Sequence, residues 1–309
     1  MLYALGRIHE RQGQPLIAQA YYSAAAAATA GNIPSHFTVG SFLLGCRWID
    51  LAEREFKSAM NYPGELGQLS RLGAQMALAD CADQSGNDLQ AAEALTGAQE
   101  TLKTLPMSGA NAVEGEELLR ASVLWHQLRA AINDANQSEM ARLVDRLGTM
   151  EKIIGNGDSA TDLRIDAIEI HVDTMDLRID MVRALKQLGR TAEAQDLFRK
   201  AYIGPRAVLD REPHNPKYLN NLAWLCARCG EHAAEAYQQA NEAIKRTPLG
   251  DDDAAPNLDT AAEVAAAVGK WDEAVQHETD ALRLMPEDWF MRGQLARFQA
   301  ELDKQHAKP

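Results

Sequence analysis

Leu5-Gly6-Arg7-Ile8-His9-Glu10-Arg11-Gln12-Gly13-Gln14-Pro15-Leu16-Ile17-Ala18-Gln19-Ala20-Tyr21-Tyr22-Ser23-Ala24-Ala25 is the stretch on which the fold turns. With Gly13 as a turn, a Leu-Gly pair lies just upstream, and Ala18, Tyr22 and Ala25 follow at offsets of five, nine and twelve. The same frame returns along the chain. From Arg47 it gives Val39-Gly40, then Ala52, Phe56, Ala59 and a closing Pro63. From Gly86 it gives Leu78-Ala79, then Ala91, Leu95 and Ala98; from Gly189, Met181-Val182, then Ala194, Phe198 and Ala201. Gly230, with one extra residue in the turn, gives Leu222-Ala223, Ala236, Ala240, Ala243 and Pro248. Gly269 gives Ala261-Ala262, Ala274, Glu278, Ala281 and Pro286.

A frame that recurs at this period marks an array of helical units, each too small to bury its apolar face alone. Each unit reads as two antiparallel helices. Small residues let the two approach, and one large residue in the second helix fills the space between them. Glycine permits the tight turn, and proline ends the second helix because it has no amide hydrogen to donate.

This pattern resembles the tetratricopeptide repeat, whose first helix carries bulky-Leu-Gly before a Gly turn, with Ala, an aromatic, Ala and Pro following over 34 residues. Six units covering about 230 of the 309 residues share it, and the first two keep the 34-residue step from Gly13 to Arg47. Later steps are 39 residues from 47 to 86, 41 from 189 to 230 and 39 from 230 to 269; the aromatic is replaced at Leu95, Ala240 and Glu278, and the turn glycine at Arg47. Tyr218-Leu219-Asn220-Asn221-Leu222-Ala223-Trp224-Leu225, Asn257-Leu258-Asp259-Thr260 and Gly269-Lys270-Trp271-Asp272-Glu273-Ala274-Val275 are similar to the closing repeats of long bacterial proteins of this family. The resemblance implies an all-α, right-handed superhelical solenoid of about six hairpins with a C-terminal capping helix. Its expected organisation is N-terminal repeats over 1–104, a loop and degenerate hairpin over 105–157, and C-terminal repeats with the cap over 158–309.

The middle is less regular. Leu105-Pro106-Met107-Ser108-Gly109-Ala110-Asn111 reads as a loop by its breakers. Helices are expected from about 113 to 133 and 137 to 154, with Asn133-Asp134-Ala135-Asn136 as the turn and Gly155-Asn156-Gly157-Asp158 as a break. Residues 162–188 contain neither Gly nor Pro. Their 164–173 portion partly alternates as a strand would, but Ile165, Ile168, Val172, Met175, Ile179 and Val182 step by three and four, which predicts one extended helix or two end to end. Pro205 is expected to begin a short helix to Arg211, and the segment from Pro286 to about Lys304 to form the cap. Met1 already lies in the first helix, so the chain reads as a cut domain or a repeat docked on something further.

At 46% hydrophobic and 24% charged, the composition excludes disorder and collagen. Thirty-one Lys plus Arg against 44 Asp plus Glu leave a net charge of -13, which repels phosphate backbones and anionic lipid, so neither nucleic acid nor membrane insertion is expected. Mean hydropathy is -0.33 and no apolar run reaches the roughly 18 residues of a membrane-spanning helix. The start lacks the charged, apolar and cleavage regions of a secretory signal. Four cysteines do not make a disulfide framework, and a reducing, cytoplasmic setting fits.

The sharpest chemical cluster is Cys226-Ala227-Arg228-Cys229 with His232 beyond it and His214 as a fourth ligand for zinc. No second cysteine pair exists, however, and Cys226 sits where other units carry Leu43, Ala82, Leu185 and Ala265, so it reads as a small core filler. Asp251-Asp252-Asp253 reads as a solvated loop charge run. Phosphate-binding glycine loops, Gly-x-Ser-x-Gly and His-Glu-x-x-His do not occur, and His9-Glu10, His171 and the His277-Glu278 pair stand alone on their segments. No enzyme, cofactor or metal site is therefore expected.

Surface recognition remains. Stacked hairpins present their first helices along a groove suited to a peptide or helix. The groove-facing positions are Tyr3, Arg7 and Arg11; Phe37 and Ser41; Met76, Asp80 and Asp83; Arg183 and Lys186; Asn220, Trp224 and Arg228; Asp259 and Glu263. Arg7 and Arg11 near Tyr3 and Phe37 make one candidate patch for an acidic or aromatic segment, and Asn220, Trp224 and Arg228 make another. The Lys and Asn set with which relatives hold a chaperone's C-terminal carboxylate is not present. The expected function is a non-enzymatic scaffold or adaptor that binds a protein or peptide. Its alternatives are a regulatory or assembly domain of a larger enzyme or membrane-attached protein, and a self-assembling, homo-oligomeric subunit.

Overall fold

The computed structural model describes the chain except for residues 30–32, 62–64, 106–109, 151–160, 166–167, 173 and 308–309. The expected closing Pro63, the loop from Pro106 to Gly109 and the break from Gly155 to Asp158 lie outside the described residues. The helices are α1 (Leu2–Arg11), α2 (Pro15–Thr29), α3 (Ile33–Gly45), α4 (Ile49–Ala59), α5 (Glu65–Asp83), α6 (Asp88–Thr104), α7 (Ala110–Asn133) and α8 (Gln137–Gly148). After strands β1 (Thr161–Ile165) and β2 (Ile168–Val172) come α9 (Thr174–Gln187), α10 (Thr191–Arg211), α11 (Pro216–Cys229), α12 (Ala233–Arg246), α13 (Ala254–Ala267), α14 (Trp271–Leu284) and α15 (Trp289–His306). They fall into two compact units, Met1–Arg120 and Ala121–Pro309, with the division inside α7.

The first unit holds the hairpins α1/α2, α3/α4 and α5/α6. The second holds the rest of α7 with α8, then α9/α10, α11/α12, α13/α14 and the terminal α15. The three second-helix anchors of all six units are buried, from Ala18, Tyr22 and Ala25 in α2 to Ala274, Glu278 and Ala281 in α14. The reason is steric. A methyl group added at Gly40 would lie 2.6 Å from the Phe56 ring, and one at Gly6 would collide with Tyr22. At this small position the other units carry Ala79, Val182, Ala223 and Ala262, opposite Leu95, Phe198, Ala240 and Glu278.

The turns follow from backbone conformation. Gly13, Gly86, Gly189, Gly230 and Gly269 all have φ between +66° and +77°. Arg47 takes the same left-handed form at φ +58°, and Ala135 does so at +52° in the turn between α7 and α8. A Cβ in that region crowds the following carbonyl.

Two expectations need correction. Thr161–Ile165 and Ile168–Val172 are not helical: β1 and β2 pair antiparallel, Thr161 opposite Val172 and Ile165 opposite Ile168. The alternation of Leu163, Ile165, Ile168, Ile170 and Val172, mostly β-branched, outweighs the three-four stripe, which operates only from Thr174 onward. Pro205 does not start a new helix but lies inside α10, which runs on to Arg211. Proline removes one backbone hydrogen bond there, and the buried Phe198, Ala201 and Leu209 on either side keep the rod continuous.

Substitution at two of these positions has opposite expected signs. Gly40→Ala should lower unfolding free energy by about 2 kcal/mol through overpacking against Phe56. Ala135→Gly should raise it by roughly 1 kcal/mol by relieving the left-handed turn. Urea unfolding followed by circular dichroism checks both; equal signs would contradict the packing account.

Candidate partner-binding surface

In the first unit, Tyr3, Arg7 and Phe37 of the expected groove are drawn into packing. Tyr3 is buried, stacked on Tyr22, and its hydroxyl donates to Glu55 Oε1. The other Glu55 oxygen lies 2.6 Å from His36 Nδ1, so one buried carboxylate ties α1, α3 and α4 together. Arg7 pairs with Glu10 at 2.8 Å and with Asp50 at 2.7 Å, its guanidinium 5.9 Å from the Trp48 ring centre. Phe37 is half-buried against Phe56, and Met76 is half-buried, whereas Arg11, Ser41 and Asp80 lie at the surface. The signal for the Tyr3–Glu55–His36 link is absent from the repeat frame, because neither Glu55 nor His36 is one of its anchors.

The second unit brings its residues together. Asn220, Trp224 and Arg228 follow one another at four-residue steps along α11 and so share one face. Trp224 Nε1 donates to Asp176 Oδ1 on α9 at 2.9 Å. The Arg228 guanidinium lies 5.1 Å from the Trp224 ring centre and 5.6 Å from that of Phe290, and it reaches Glu263 of α13 at 3.5 Å. Trp224 and Phe290 meet edge to face at 6.1 Å. Because Phe290 belongs to α15, beyond α13, this face closes in on itself. Glu263 also pairs with Arg297, and Asp259 accepts from Gln294, both on α15.

On the α9 side, Arg183 pairs with Asp180 at 2.8 Å, and Trp125 Nε1 donates to the other Asp180 oxygen at 3.0 Å. Burial holds the Arg183 guanidinium below its ordinary range, with the Arg228 charge adding to the effect. Lys186 serves a different purpose: its Nζ donates to the Cys229 carbonyl at 2.6 Å and to Glu231 at 2.7 Å, closing the C-terminal end of α11. Among the described residues, Asn220 Oδ1 and Arg228 Nε are buried without a hydrogen-bond partner.

The sequence marks α15 only as a cap, and the contribution of Phe290, Gln294 and Arg297 is not among its expected groove positions. Their four- and three-residue spacing on a helix whose Met291, Phe298 and Leu302 are already in the core is the signal that carries it. Cys226 and Cys229 are buried, and desolvation pushes both thiols up, Cys226 to about 12. His232 stacks on Tyr202 and Phe198. Among the described residues, no cysteine lies in a group of three metal-ligating side chains, and no helix is long and apolar enough to cross a membrane.

The buried second-helix anchors of six hairpins, tight packing of Gly6 on Tyr22 and of Gly40 on Phe56, and left-handed turns at a fixed place in the frame identify the architecture. The fold is that of tetratricopeptide-type helical hairpins. No family model matches the sequence, and no curated protein does. Solved structures similar to it include a tetratricopeptide repeat protein from Parabacteroides merdae ATCC 43184, at 12% identity over 96% of this chain and 97% of that one, with TM-score 0.45. The P58(IPK) TPR domain aligns at 14% identity over 100% of this chain and 89% of that one, TM-score 0.27. Residues 1–338 of Acl4, an assembly chaperone of RpL4, align at 14% identity over 89% and 99%, TM-score 0.36.

Thiol titration tests the cysteine assignment. In the native protein only Cys46, which is half-exposed, should react with a thiol reagent near neutral pH, and Cys81, Cys226 and Cys229 should appear on unfolding. Rapid native reaction of Cys226 or Cys229 would contradict it.

Proposed function

We propose that this protein is a non-enzymatic interaction module that binds a peptide or helix of a partner protein along the first helices of its second unit. The observation that supports this reading is the Asn220–Trp224–Arg228 face of α11, flanked by Arg183 and by Phe290. It combines two aromatic rings with guanidinium groups. Aromatic and Arg side chains are the residue types that concentrate binding energy at interfaces. Asp176, Asp180 and Glu263 hold the aromatic and cationic groups in place before any partner arrives, which lowers the ordering cost of binding.

The Arg7, Arg11, Tyr3 and Phe37 patch carries less of the proposal, since Tyr3 is buried with its hydroxyl bonded to Glu55, whereas Trp224 is half-exposed. Peptides selected from a displayed random library against the full chain should lose roughly tenfold or more in affinity on Trp224→Ala or on Arg228→Glu. Lys200→Glu, on the surface of α10, should leave their binding unchanged. Peptides whose affinity ignores both α11 substitutions, or a selection that returns none, would overturn the reading.

A further inference from the structure

At the position where the other second helices place Tyr22, Phe56, Leu95, Phe198 and Ala240, α14 carries Glu278. It is fully buried, and neither carboxyl oxygen meets a donor among the described residues. Across the hairpin stands Asp259 of α13, buried as well, with Gln294 of α15 donating to its Oδ1. Two carboxyl groups within hydrogen-bond reach form a bond only when one of them carries a proton.

The surroundings offer no other relief. α13 adds the Glu263 carboxylate, and Asp288, which caps the start of α15 by accepting from the Met291 amide, adds another. α12 buries only Ala236, Gln239, Ala240 and Ala243. Arg228 of α11 and Arg297 of α15, the cations on this side, both reach Glu263. A carboxylate shut away without a donor is far less favourable than its neutral acid.

We propose that Glu278 is held as a carboxylic acid that donates its proton to Asp259, and that this pair is a pH-sensitive fastening between the α13/α14 hairpin and α15. Burial, followed by the Asp259 charge, pushes Glu278 up to about 10. Burial also pushes Asp259 up to about 7, with Glu263 adding to the rise, while the bond from Glu278 and the Arg228 charge oppose it. Both values lie above those of the unfolded chain, near 4. The pair's contribution to stability is therefore complete below about pH 4 and is lost as pH rises through the folded values. His277, next in sequence, is lowered by burial and acts in the opposite sense below its own range. The exposed Glu139, Glu193 and Asp196, lowered by Arg142, Arg190 and Arg199, titrate on the acid side. Above neutrality the buried thiols of Cys81, Cys226 and Cys229, also pushed up by burial, add a slope of the same sign near pH 9, and comparison of wild type with Glu278→Gln cancels it.

Denaturant unfolding of the full chain near pH 7 and near pH 9 tests the proposal, with wild type beside Glu278→Gln and Asp259→Asn. The carboxamide of Glu278→Gln donates the same bond without titrating. Wild type should show an unfolding constant that climbs with pH more steeply than that of Glu278→Gln, by up to about tenfold per pH unit. Asp259→Asn, which removes the proton-sharing charge, should also flatten the response. Equal pH responses in wild type and Glu278→Gln would overturn the proposal. The carbonyl stretch of a protonated carboxylic acid in the infrared spectrum of wild type at pH 7 gives a readout independent of variant folding. It should be present and vanish on strong alkalinisation, and its absence at pH 7 would also overturn the proposal.

Discussion

In the N-terminal hairpins the distance between the two helices depends on one contact, a residue with no side chain against a single large one. Gly6 against Tyr22 and Gly40 against Phe56 are the tightest cases, where a single added methyl has no room. Everything built on the pair inherits that spacing. The flanking alanines such as Ala18 and Ala25, or Ala52 and Ala59, are buried because the rods are already close, and the turn residue must go left-handed because the rods are already antiparallel. The outward positions of each first helix stay free to carry chemistry, since none of them is needed to set the spacing.

That division explains what can be read from the amino acids alone. Packing anchors are legible because only small residues fit where backbones nearly touch, and they recur at fixed steps. The turn at Arg47 is legible too, although the residue is wrong for it, because its neighbours hold the frame. The strand pair over 161–172 was obscured by an accident of spacing: Ile165, Ile168 and Val172 satisfy both a period of two in short runs and a looser three-four stripe. Pro205 misleads for the opposite reason, since a local rule about helix starts yields to apolar burial on both sides of it.

Surface residues are legible by position but not by engagement. Trp224 and Arg228 stand where the frame puts them, and the face they form depends on Phe290, Gln294 and Arg297, which lie some 65 to 70 residues further on. Tyr3 and Arg7 occupy equivalent places in the first unit, yet Glu55, His36 and Asp50 recruit them into the protein's own hydrogen bonds and ion pairs. A hairpin frame says which way a side chain leaves its helix; it does not say what stands waiting for it on a non-anchor position of the next. Glu278 is the converse case, an anchor position whose residue type makes sense only beside Asp259.

Helix α10 has 21 residues and its mate α9 has 14, lengths of about 32 Å and 21 Å. Equal rods can stack by one constant rotation and rise, so a ligand lying along them would meet near-identical ground at every step and could slip from one to the next. From α9 to α14 every helix but α10 has 14 residues, so in that row the overhang of α10 breaks the translational symmetry at a single place, just before α11 and its aromatic face. An extended ligand then has one reference mark along the row, and with it one favoured alignment.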